Sequence, residues 1–368
     1  MKLKYYLIIL FLLLLPVIAM PYSVRAKNLG AKAEKTIGLN YYYGRNGFKR
    51  NYSKAVYWFR KAAERGNTNA MFDLGYAYYY GKGVKQNYSR AVYWFRKASG
   101  QGNAIAQVYL GNAYNYGQGV AQNYFMAAYW YKKAADQGNA DAQYNLGDIY
   151  YAGQGTTQSY SKAAYWYRKA AEGGNADAQY DLGNAYYLGR GVKQNYPKAV
   201  YWYKKAADQG NADAQYNLGY SYELGQGVTE NYSKAVYWFR KAAFQGNTYG
   251  QFGLGVAYYF GRGVTKNYPK AIYLFLKAAK QGNSGGQAYL GNAYYSGKGV
   301  KKNYPKAVYW YKKAAVQGNV IAQIMLGGTY YFGKGVKKNY SKAVYWLKKA
   351  AVQGNRDAKT LLNKIEHR

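Results

Sequence analysis

The fold of this chain is decided by residues 104–139, which read AIAQVYLGNAYNYGQGVAQNYFMAAYWYKKAADQGN. Close copies of this stretch follow one another along the chain, and tryptophan marks the period of 36 residues, with Leu274 standing in one of the places. The tryptophans are Trp58, Trp94, Trp130, Trp166, Trp202, Trp238, Trp310 and Trp346. A strict period of this length is typical of a solenoid, in which copies of one unit pack against their neighbours.

Each copy contains the pattern of two helices joined by a turn. In the first segment Ala106 and Leu110 recur at helical spacing and share one face. The glycine-rich turn 117–120 ends that helix, and Asn123 fits the cap position of a second helix. The second helix is expected to bury Trp130 on one face and to end at the stretch 137–139. Pro197, Pro269 and Pro305 stand two residues after the cap asparagine, in the first turn, where a missing N–H is tolerated.

The prediction is therefore an all-α fold, a right-handed α-solenoid of about nine 36-residue helix-turn-helix repeats over residues 27–355. Residues 356–368 have Ala358, Leu361, Leu362 and Ile365 at helical spacing. This segment is expected to form a C-terminal capping helix, because terminal repeats of a solenoid cover the open end of the core.

Residues 1–26 differ in kind and read as a signal peptide, with Lys2 and Lys4 before an apolar run from Leu7 to Leu15. Cleavage after Ala19, cleavage after Ala26 and retention as an anchor remain open, although the run is short beside the ~20 residues of a spanning helix. The chain has no cysteine, so a lipid-anchored start is excluded. We expect a secreted or periplasmic protein with no transmembrane domain after cleavage.

Composition argues against an enzyme. There is no cysteine, and the single histidine, His367, is next to last in the sequence, so neither a thiolate metal site nor a histidine triad can be assembled. The glycine turns lack the spacing of a phosphate loop. We therefore expect no catalytic residues, no metal and no cofactor. The net charge of +37, from 52 Lys and Arg against 15 Asp and Glu, favours encounters with polyanions.

The repeat pattern resembles the Sel-one-like repeat family, a branch of the tetratricopeptide-like solenoids. The residues that carry the resemblance in one copy are Ala214, Leu218, Gly219, Tyr222, Gly225, Gly227, Val228, Asn231, Lys234, Ala235, Trp238, Lys241, Ala242 and Ala243. The family's acidic helix cap is replaced by asparagine in eight copies and by Ser159 in the ninth. The resemblance implies an adaptor protein, and exported bacterial members are often linked to host contact or envelope processes.

The resemblance also implies that one stripe of each first helix lines a concave groove. On a helical wheel this stripe lies opposite the core residues. The candidate ligand-binding residues, called here the groove set, are Tyr76, Tyr79, Asn112, Asn115, Tyr144, Asp148, Tyr151, Tyr180, Asn184, Tyr187, Tyr216, Tyr220, Glu223, Tyr259, Tyr295 and Tyr331. One of the columns, from Tyr76 through Asn112, changes from copy to copy, which a groove that reads an irregular ligand would also do. The alternative is that these tyrosines pack between adjacent repeats.

A second candidate surface lies on the predicted convex side. The candidate polyanion-binding residues, called here the basic set, are Tyr93, Arg96, Lys97, Lys133, Lys169, Lys205, Lys241 and Lys313. Tyr93 and Lys97 are four residues apart and should be neighbours on the helix surface. The alternative is a solvated surface on which lysine stems cover apolar area.

The sequence thus favours an exported non-enzymatic scaffold that mediates protein–protein interactions through its concave groove. The alternative is a binder of anionic envelope polymer, glycan or lipid headgroups through the basic convex face. Nucleic acid is disfavoured, because export removes the usual partners and no base-reading motif is present.

One stretch departs from the repeat in three places at once, with Gly250 and Gly286 in the alanine column and Leu274 in the tryptophan column. Glycine inside a helix costs ~1 kcal/mol relative to alanine. The stretch is therefore predicted to be a locally weak joint, with neutral drift in one copy as the alternative.

Overall fold

The structure is a computed structural model that describes residues 30–366. The predicted signal peptide, residues 1–26, and His367 lie outside these residues. Residues 30–366 fold into α-helices joined by short turns, and they contain no β-strand. The helices are α1 (Ala31–Tyr43), α2 (Tyr52–Glu64), α3 (Thr68–Tyr80), α4 (Tyr88–Gly100), α5 (Ala104–Tyr116), α6 (Tyr124–Asp136), α7 (Ala140–Ala152), α8 (Tyr160–Glu172), α9 (Ala176–Leu188), α10 (Tyr196–Asp208), α11 (Ala212–Leu224), α12 (Tyr232–Phe244), α13 (Thr248–Phe260), α14 (Tyr268–Lys280), α15 (Ser284–Ser296), α16 (Tyr304–Val316), α17 (Val320–Phe332), α18 (Tyr340–Val352) and α19 (Arg356–Glu366).

Two compact units divide the chain after Gly173. In unit 1 the described residues 30–173 form α1 to α8, and in unit 2 the described residues 174–366 form α9 to α19. Within each unit the helices form successive pairs, each made of an odd-numbered first helix and an even-numbered second helix, and α19 follows the last pair. The predicted all-α solenoid with a final helix is confirmed.

The predicted turn and cap residues act as expected. Gly117 ends α5 in the left-handed conformation, with φ of 69°. Oδ1 of Asn123 accepts a hydrogen bond of 2.9 Å from the backbone N–H of Met126 at the start of α6. The corresponding Ser159 caps α8 in the same way, accepting from the N–H of Lys162 at 3.3 Å. Replacement of the family's acidic cap by a neutral residue therefore retains the cap.

The predicted end of the second helix is confirmed, since α6 ends at Asp136 with Gln137 as its C-cap. Asn139, the last residue of that predicted stop, has a second role, because it is the N-cap of the next helix. Oδ1 of Asn139 accepts a hydrogen bond of 2.9 Å from the N–H of Ala142 and caps α7. Both helices of a repeat therefore begin at a capping side chain, and the cap at Asn139 fixes where the first helix of the next repeat starts.

The core of a repeat is built on the leucine–glycine pair. Leu110 is fully buried, and a Cβ on Gly111 would lie only 2.5 Å from the ring of Tyr131. Only glycine at this position lets the aromatic ring of the second helix lie flat against the first helix. The pair is thus a packing requirement, which explains why it recurs at fixed spacing.

Buried glutamines join one repeat to the next. Nε2 of Gln107 donates to the carbonyl oxygen of Ser99 at 3.2 Å, and its Oε1 accepts from Nε2 of Gln137 at 2.8 Å. The same glutamine pairs are Gln179–Gln209, Gln215–Gln245, Gln251–Gln281, Gln287–Gln317 and Gln323–Gln353. Gly173 occupies the place of Gln137 in the last repeat of unit 1. Buried polar groups are costly unless they are bonded. The glutamine pairs of this ladder therefore tie together the two ends of one repeat, while the bond from Gln107 to Ser99 helps to set the register with the repeat before it.

The glycines of the predicted weak joint have a steric role. A Cβ on Gly250 would lie 2.6 Å from Cβ of Ala242 and 2.9 Å from the backbone nitrogen of Ala243. Glycine therefore allows α13 to approach α12 more closely than alanine would. The low helix propensity of Gly250 is offset by this close packing, and the weakness of the joint stays a prediction.

Candidate interaction surfaces

The odd-numbered helices from α3 to α17 form the first surface, called here the first-helix face and considered separately in each unit. These eight helices contain no lysine or arginine, although the chain has 52. Their acidic residues are Asp73, Asp141, Asp148, Asp177, Asp181, Asp213 and Glu223. The large positive charge of the protein therefore comes from other segments, and this face is suited to neutral or cationic ligands.

One column of the groove set, which runs from Tyr76 through Asn112, changes from copy to copy, and its polar residues accept hydrogen bonds within their own repeat. The hydroxyl of Tyr131 donates to Oδ1 of Asn112 at 2.7 Å, and that of Tyr167 donates to Oδ1 of Asp148 at 2.7 Å. The pairs Tyr203–Asn184 and Tyr311–Asn292 repeat this bond. Where the second helix has phenylalanine or leucine at the equivalent position, the column has Tyr76, Tyr220, Val256 or Gly328. Internal bonding thus accounts for much of the variation that suggested a groove reading an irregular ligand.

A further column of the groove set packs against the second helix and the following turn. Tyr79 meets Tyr88 edge to face with ring centroids 5.1 Å apart, and Tyr187 meets Tyr196 in the same way at 5.3 Å. The hydroxyl of Tyr187 also donates to Oε1 of Gln226 in the next turn at 2.8 Å. These tyrosines therefore pack within their own repeat, Tyr187 also bonds to the next repeat, and both rings are half-buried.

The column of Tyr79 and Tyr187 contains one carboxylate, Glu223, and this residue faces an arginine. Glu223 lies 4.0 Å from Arg262, which occupies the turn position that Gln226 has one repeat earlier. Burial raises the pKa of Glu223, and the Arg262 guanidinium opposes that rise. Tyr187 and Glu223 of this column are thus each matched by a residue in the turn of the following repeat.

The remaining members of the groove set lie at the same surface with different exposure. Tyr144, Tyr180 and Tyr216 are half-buried and face the rings of their second helices at about 6 Å. Asn115, Tyr259 and Tyr295 are also half-buried, whereas Tyr151 is exposed and Tyr331 is buried. Most of the set is therefore partly accessible to solvent.

In unit 2 part of the groove set encloses a cavity of about 350 Å³, called here the inner cavity. It lies between α9 and α11 and is lined by Asn184, Tyr187, Leu188, Tyr203, Tyr216, Asn217 and Tyr220. Nδ2 of Asn217 donates to Oδ1 of Asn184 at 3.2 Å. Burial raises the pKa of the neighbouring Tyr180 phenol, and the amides of Asn184 and Asn217 oppose that rise. The cavity combines aromatic walls with a bonded amide pair.

Asn217 was missed by the sequence analysis. It belongs to the column immediately before the core leucine, which also contains Asp73, Tyr109 and Tyr289. This column is not part of the predicted groove set. Its signal was its variability, since it also changes from copy to copy.

Unit 1 has a smaller cavity of about 230 Å³ on the same face, called here the N-terminal cavity. It is lined by Leu39, Tyr42 and Tyr43 of α1, Phe59 of α2, and Phe72, Asp73 and Tyr76 of α3. Tyr76 is the member of the groove set that reaches it. Five aromatic rings thus surround one carboxylate.

The even-numbered helices form the second surface, called here the second-helix face. Nζ of Lys97 lies 4.9 Å from the ring centroid of Tyr93, so the predicted neighbour relationship is confirmed. The same stacking, at 4.8–5.7 Å, joins Lys61–Tyr57, Lys133–Tyr129, Lys169–Tyr165, Lys205–Tyr201, Lys241–Tyr237, Lys277–Tyr273, Lys313–Tyr309 and Lys349–Tyr345. Every member of the basic set is exposed, and Arg96 also donates to the hydroxyl of Tyr114 at 3.0 Å.

Residues 30–366 give no sign of a metal centre, since no three His, Cys, Asp or Glu side chains among them come together as ligands. Within the same residues no helix has the length and apolar character needed to cross a membrane.

A chain built from paired helices of constant length and spacing is a helical-repeat protein of the α-solenoid class. The chain belongs to the Sel1 repeat family, whose pattern matches residues 31–67, 68–103, 104–139, 140–175, 176–211, 212–247, 248–283, 284–319 and 320–355. The resemblance inferred from the sequence is therefore confirmed. Sel1 repeat proteins generally mediate protein–protein interactions, and the repeat is generally a non-enzymatic scaffold.

Two solved structures are similar over most of their length. One is a protective antigen present in uropathogenic Escherichia coli strains, with 37% identity and a TM-score of 0.68 over 92% of this chain and 80% of that chain. The other is a Sel1 repeat protein from Oxalobacter formigenes, with 33% identity and a TM-score of 0.62 over 84% and 90%. Among curated proteins, the ERAD-associated E3 ubiquitin-protein ligase component HRD3A of Arabidopsis thaliana is 41% identical over 54 residues. That match spans 15% of this chain and only 8% of HRD3A.

Proposed function

We propose that this protein is an exported, non-enzymatic scaffold that binds a polypeptide partner on its first-helix face, with the inner cavity as the centre of the site in unit 2. The observation that supports this most strongly is the coincidence of that cavity with Asn184, Tyr187, Tyr216 and Tyr220 of the groove set. Four residues selected from repeat columns alone line one concave space. One of them, Asn184, is hydrogen-bonded there to Asn217.

The chemistry of the inner cavity suits a polypeptide. Tyrosine offers a large apolar ring and one hydroxyl, and it is enriched among residues that dominate protein interfaces. The amides of Asn184 and Asn217 can exchange their mutual hydrogen bond for bonds to a peptide backbone. A volume of about 350 Å³ is at the low end for a ligand site and fits one or two side chains of a partner.

Export is supported by the sequence of residues 1–26 and by the similarity to a protective antigen, because an antigen that protects must be reached by the immune system. We propose a secreted or periplasmic location. N-terminal sequencing of the protein recovered outside the cytoplasm should begin at Met20 or Lys27. An intact Met1 in a cytoplasmic fraction would contradict export, and an intact Met1 in the membrane fraction would indicate a retained anchor.

The binding site is tested by placing a photo-crosslinking amino acid at Tyr220, in the inner cavity, and in a matched variant at Tyr237 on the second-helix face. Crosslinking in envelope or host-cell lysate is compared at about 50 and 500 mM salt, a range over which polyanion binding falls steeply. Protein adducts at position 220 that persist at high salt, with none at position 237, support the scaffold. Adducts confined to position 237 and lost at high salt contradict it.

The alternative function is binding of anionic envelope polymer, glycan or lipid headgroups through the second-helix face. What favours it is the regular row of lysines stacked on half-exposed tyrosines. Stacking holds each ammonium group in place, so less side-chain freedom is lost when a phosphate or sulfate binds. The crosslinking experiment separates the two functions, because only binding to an anionic polymer or lipid through the second-helix face depends strongly on salt.

A further inference from the structure

The N-terminal cavity contains a carboxylate that the fold does not use. Oδ2 of Asp73 is buried, and no hydrogen-bond donor among the described residues reaches it. Lys35 attracts Asp73 electrostatically, but no lysine or arginine in residues 30–366 lies within ion-pair distance of it. Asp73 as a whole is half-buried, and a charge held largely away from water without a partner is costly, so its retention calls for a role.

The repeat itself does not require an acid at this position. The acid recurs three repeats later as Asp181, but the equivalent residues one, two and four repeats later are Tyr109, Asn145 and Asn217, which preserve the same helix and the same core. Burial raises the pKa of Asp73 to about 6, so the carboxylate is still ionised at neutral pH. A negative charge is thus available inside the cavity of a protein whose net charge is +37.

The walls around this carboxylate are aromatic. Tyr42 and Tyr43 approach from α1 with ring centroids 5.0 Å apart, and Phe72 and Tyr76 approach from α3 with centroids 6.0 Å apart. Aromatic faces attract organic cations through their quadrupole, most strongly where water is excluded. An aromatic enclosure with one carboxylate is complementary to a compact positive group with an apolar surface.

We propose that the N-terminal cavity binds an organic ammonium group, either a quaternary amine or the side chain of a lysine in a bound polypeptide. Asp73 neutralises its charge while Tyr42, Tyr43, Phe72 and Tyr76 contact its carbon atoms. A divalent metal is a poor fit, because calcium and magnesium need several oxygen ligands and the cavity has one carboxylate. The volume of about 230 Å³ is below that of a complete ligand site, which suits a headgroup. This site lies in unit 1 and is independent of the partner site proposed for unit 2.

The first test compares two ligands of nearly equal shape on the full chain. Choline and its neutral isostere 3,3-dimethylbutan-1-ol are titrated separately and followed by NMR or calorimetry. Choline should bind at least about tenfold more tightly, because only the cation gains the attraction of Asp73 and the aromatic rings. Equal affinities for the two ligands would overturn the proposal. Because this comparison uses the unaltered protein, misfolding of a variant could not explain such a result. Nα-acetyl-lysine amide, titrated in the same way, distinguishes a lysine side chain from a quaternary amine as the preferred source.

The second test uses Asp73→Asn, which keeps the shape and removes the charge. Choline affinity should fall at least about tenfold, while the affinity of the neutral isostere stays the same. Glu64→Gln is the matched control, because Glu64 is exposed on α2 of the same unit and its change removes one charge elsewhere. Equal losses in the two variants would show that only net charge matters and would reject the site. The Asp73→Asn change is also introduced into the protein that carries the crosslinker at position 220. If partner crosslinking is unchanged there, the loss of choline binding concerns only the N-terminal cavity and not the proposed scaffold function.

Discussion

The hydroxyl of Tyr131 donates a hydrogen bond of 2.7 Å to Oδ1 of Asn112, and this bond explains why one column of the repeat alternates between two kinds of residue. Tyr131 is 2% exposed, so its hydroxyl needs an acceptor within the protein. Wherever the second helix supplies such a tyrosine, the first helix supplies asparagine or aspartate. Where it supplies Phe275, the first helix has Val256.

The first prediction is that this pair is coupled. Asn112→Val alone should lower the free energy of unfolding by about 1–3 kcal/mol, because the hydroxyl of Tyr131 is left without an acceptor. Adding Tyr131→Phe should recover most of the loss, since the double variant reproduces the Phe275–Val256 pair. Urea unfolding of the four proteins of this cycle measures the coupling. Additive effects would show that the bond contributes nothing to stability.

Most of the repeat could be predicted from the sequence because its signals are local. The turn glycines, the cap at Asn123 and the first-turn prolines act within a few residues of their own position, and all were assigned correctly. Asn139 is also a local signal: the stop that contains it was predicted correctly, but its role as the cap of the next helix was not predicted.

Contacts between residues far apart in the sequence could not be predicted in the same way. The Gln107–Gln137 bond joins residues 30 apart, and the inner cavity depends on how far α9 stands from α11. Neither distance follows from helical periodicity. The pairing of Asn112 with Tyr131 was nevertheless present in the sequence, as a correlation between two columns 19 residues apart. The joint variation of the Asn112 and Tyr131 columns carries the signal of this pairing, whereas the variability of either column alone does not.

The second prediction concerns two helix-interior glycines with opposite surroundings. A Cβ on Gly250 would meet Ala242 at 2.6 Å, whereas a Cβ on Gly328 would meet no atom within 4 Å. Gly250→Ala should therefore destabilise the protein by about 1–3 kcal/mol through overpacking. Gly328→Ala should stabilise it by about 0.5–1 kcal/mol through helix propensity. Thermal unfolding of both variants checks this, and a gain from Gly250→Ala would mean that the close helix contact is not needed.

The third prediction concerns the missing rung of the glutamine ladder. Gly173 stands where other repeats have the second glutamine. Its φ of −73° is one that any residue adopts, and a Cβ there would lie 3.2 Å from Cβ of Ala140, which must shift slightly to admit it. Gly173→Gln should place Nε2 near Oε1 of Gln143, as Gln137 does with Gln107. The new bond and the loss of a flexible glycine should raise stability by about 0.5–2 kcal/mol. Gly173→Ala isolates the glycine effect, and an equal gain from both variants would rule out the new bond.

The fourth prediction tests whether the stacked lysines are a binding surface or only a source of charge. Replacing Lys205, Lys241 and Lys277 by glutamine should weaken binding to vesicles of anionic lipid by about 1 kcal/mol for each lysine. The control replaces Lys198, Lys234 and Lys270, which lie in the same three repeats but stack on tyrosines of the first helices. Vesicle cosedimentation should separate the two triple variants. Equal losses would mean that binding follows net charge alone.

The fifth prediction follows from the buried carboxylate of Asp73. Its pKa of about 6 lies above the ordinary value of 3.8, so between these values the folded protein binds more protons than the unfolded chain. Stability must therefore fall as the pH rises through this window, and above it the ionised group costs on the order of 2–3 kcal/mol. Asp73→Asn should be more stable than the parent chain at neutral pH, and the difference should shrink as the pH falls toward 4. Urea unfolding at several pH values measures that difference. A constant difference across the range would place Asp73 in contact with water, and it would leave the N-terminal cavity without the desolvated charge on which ammonium binding depends.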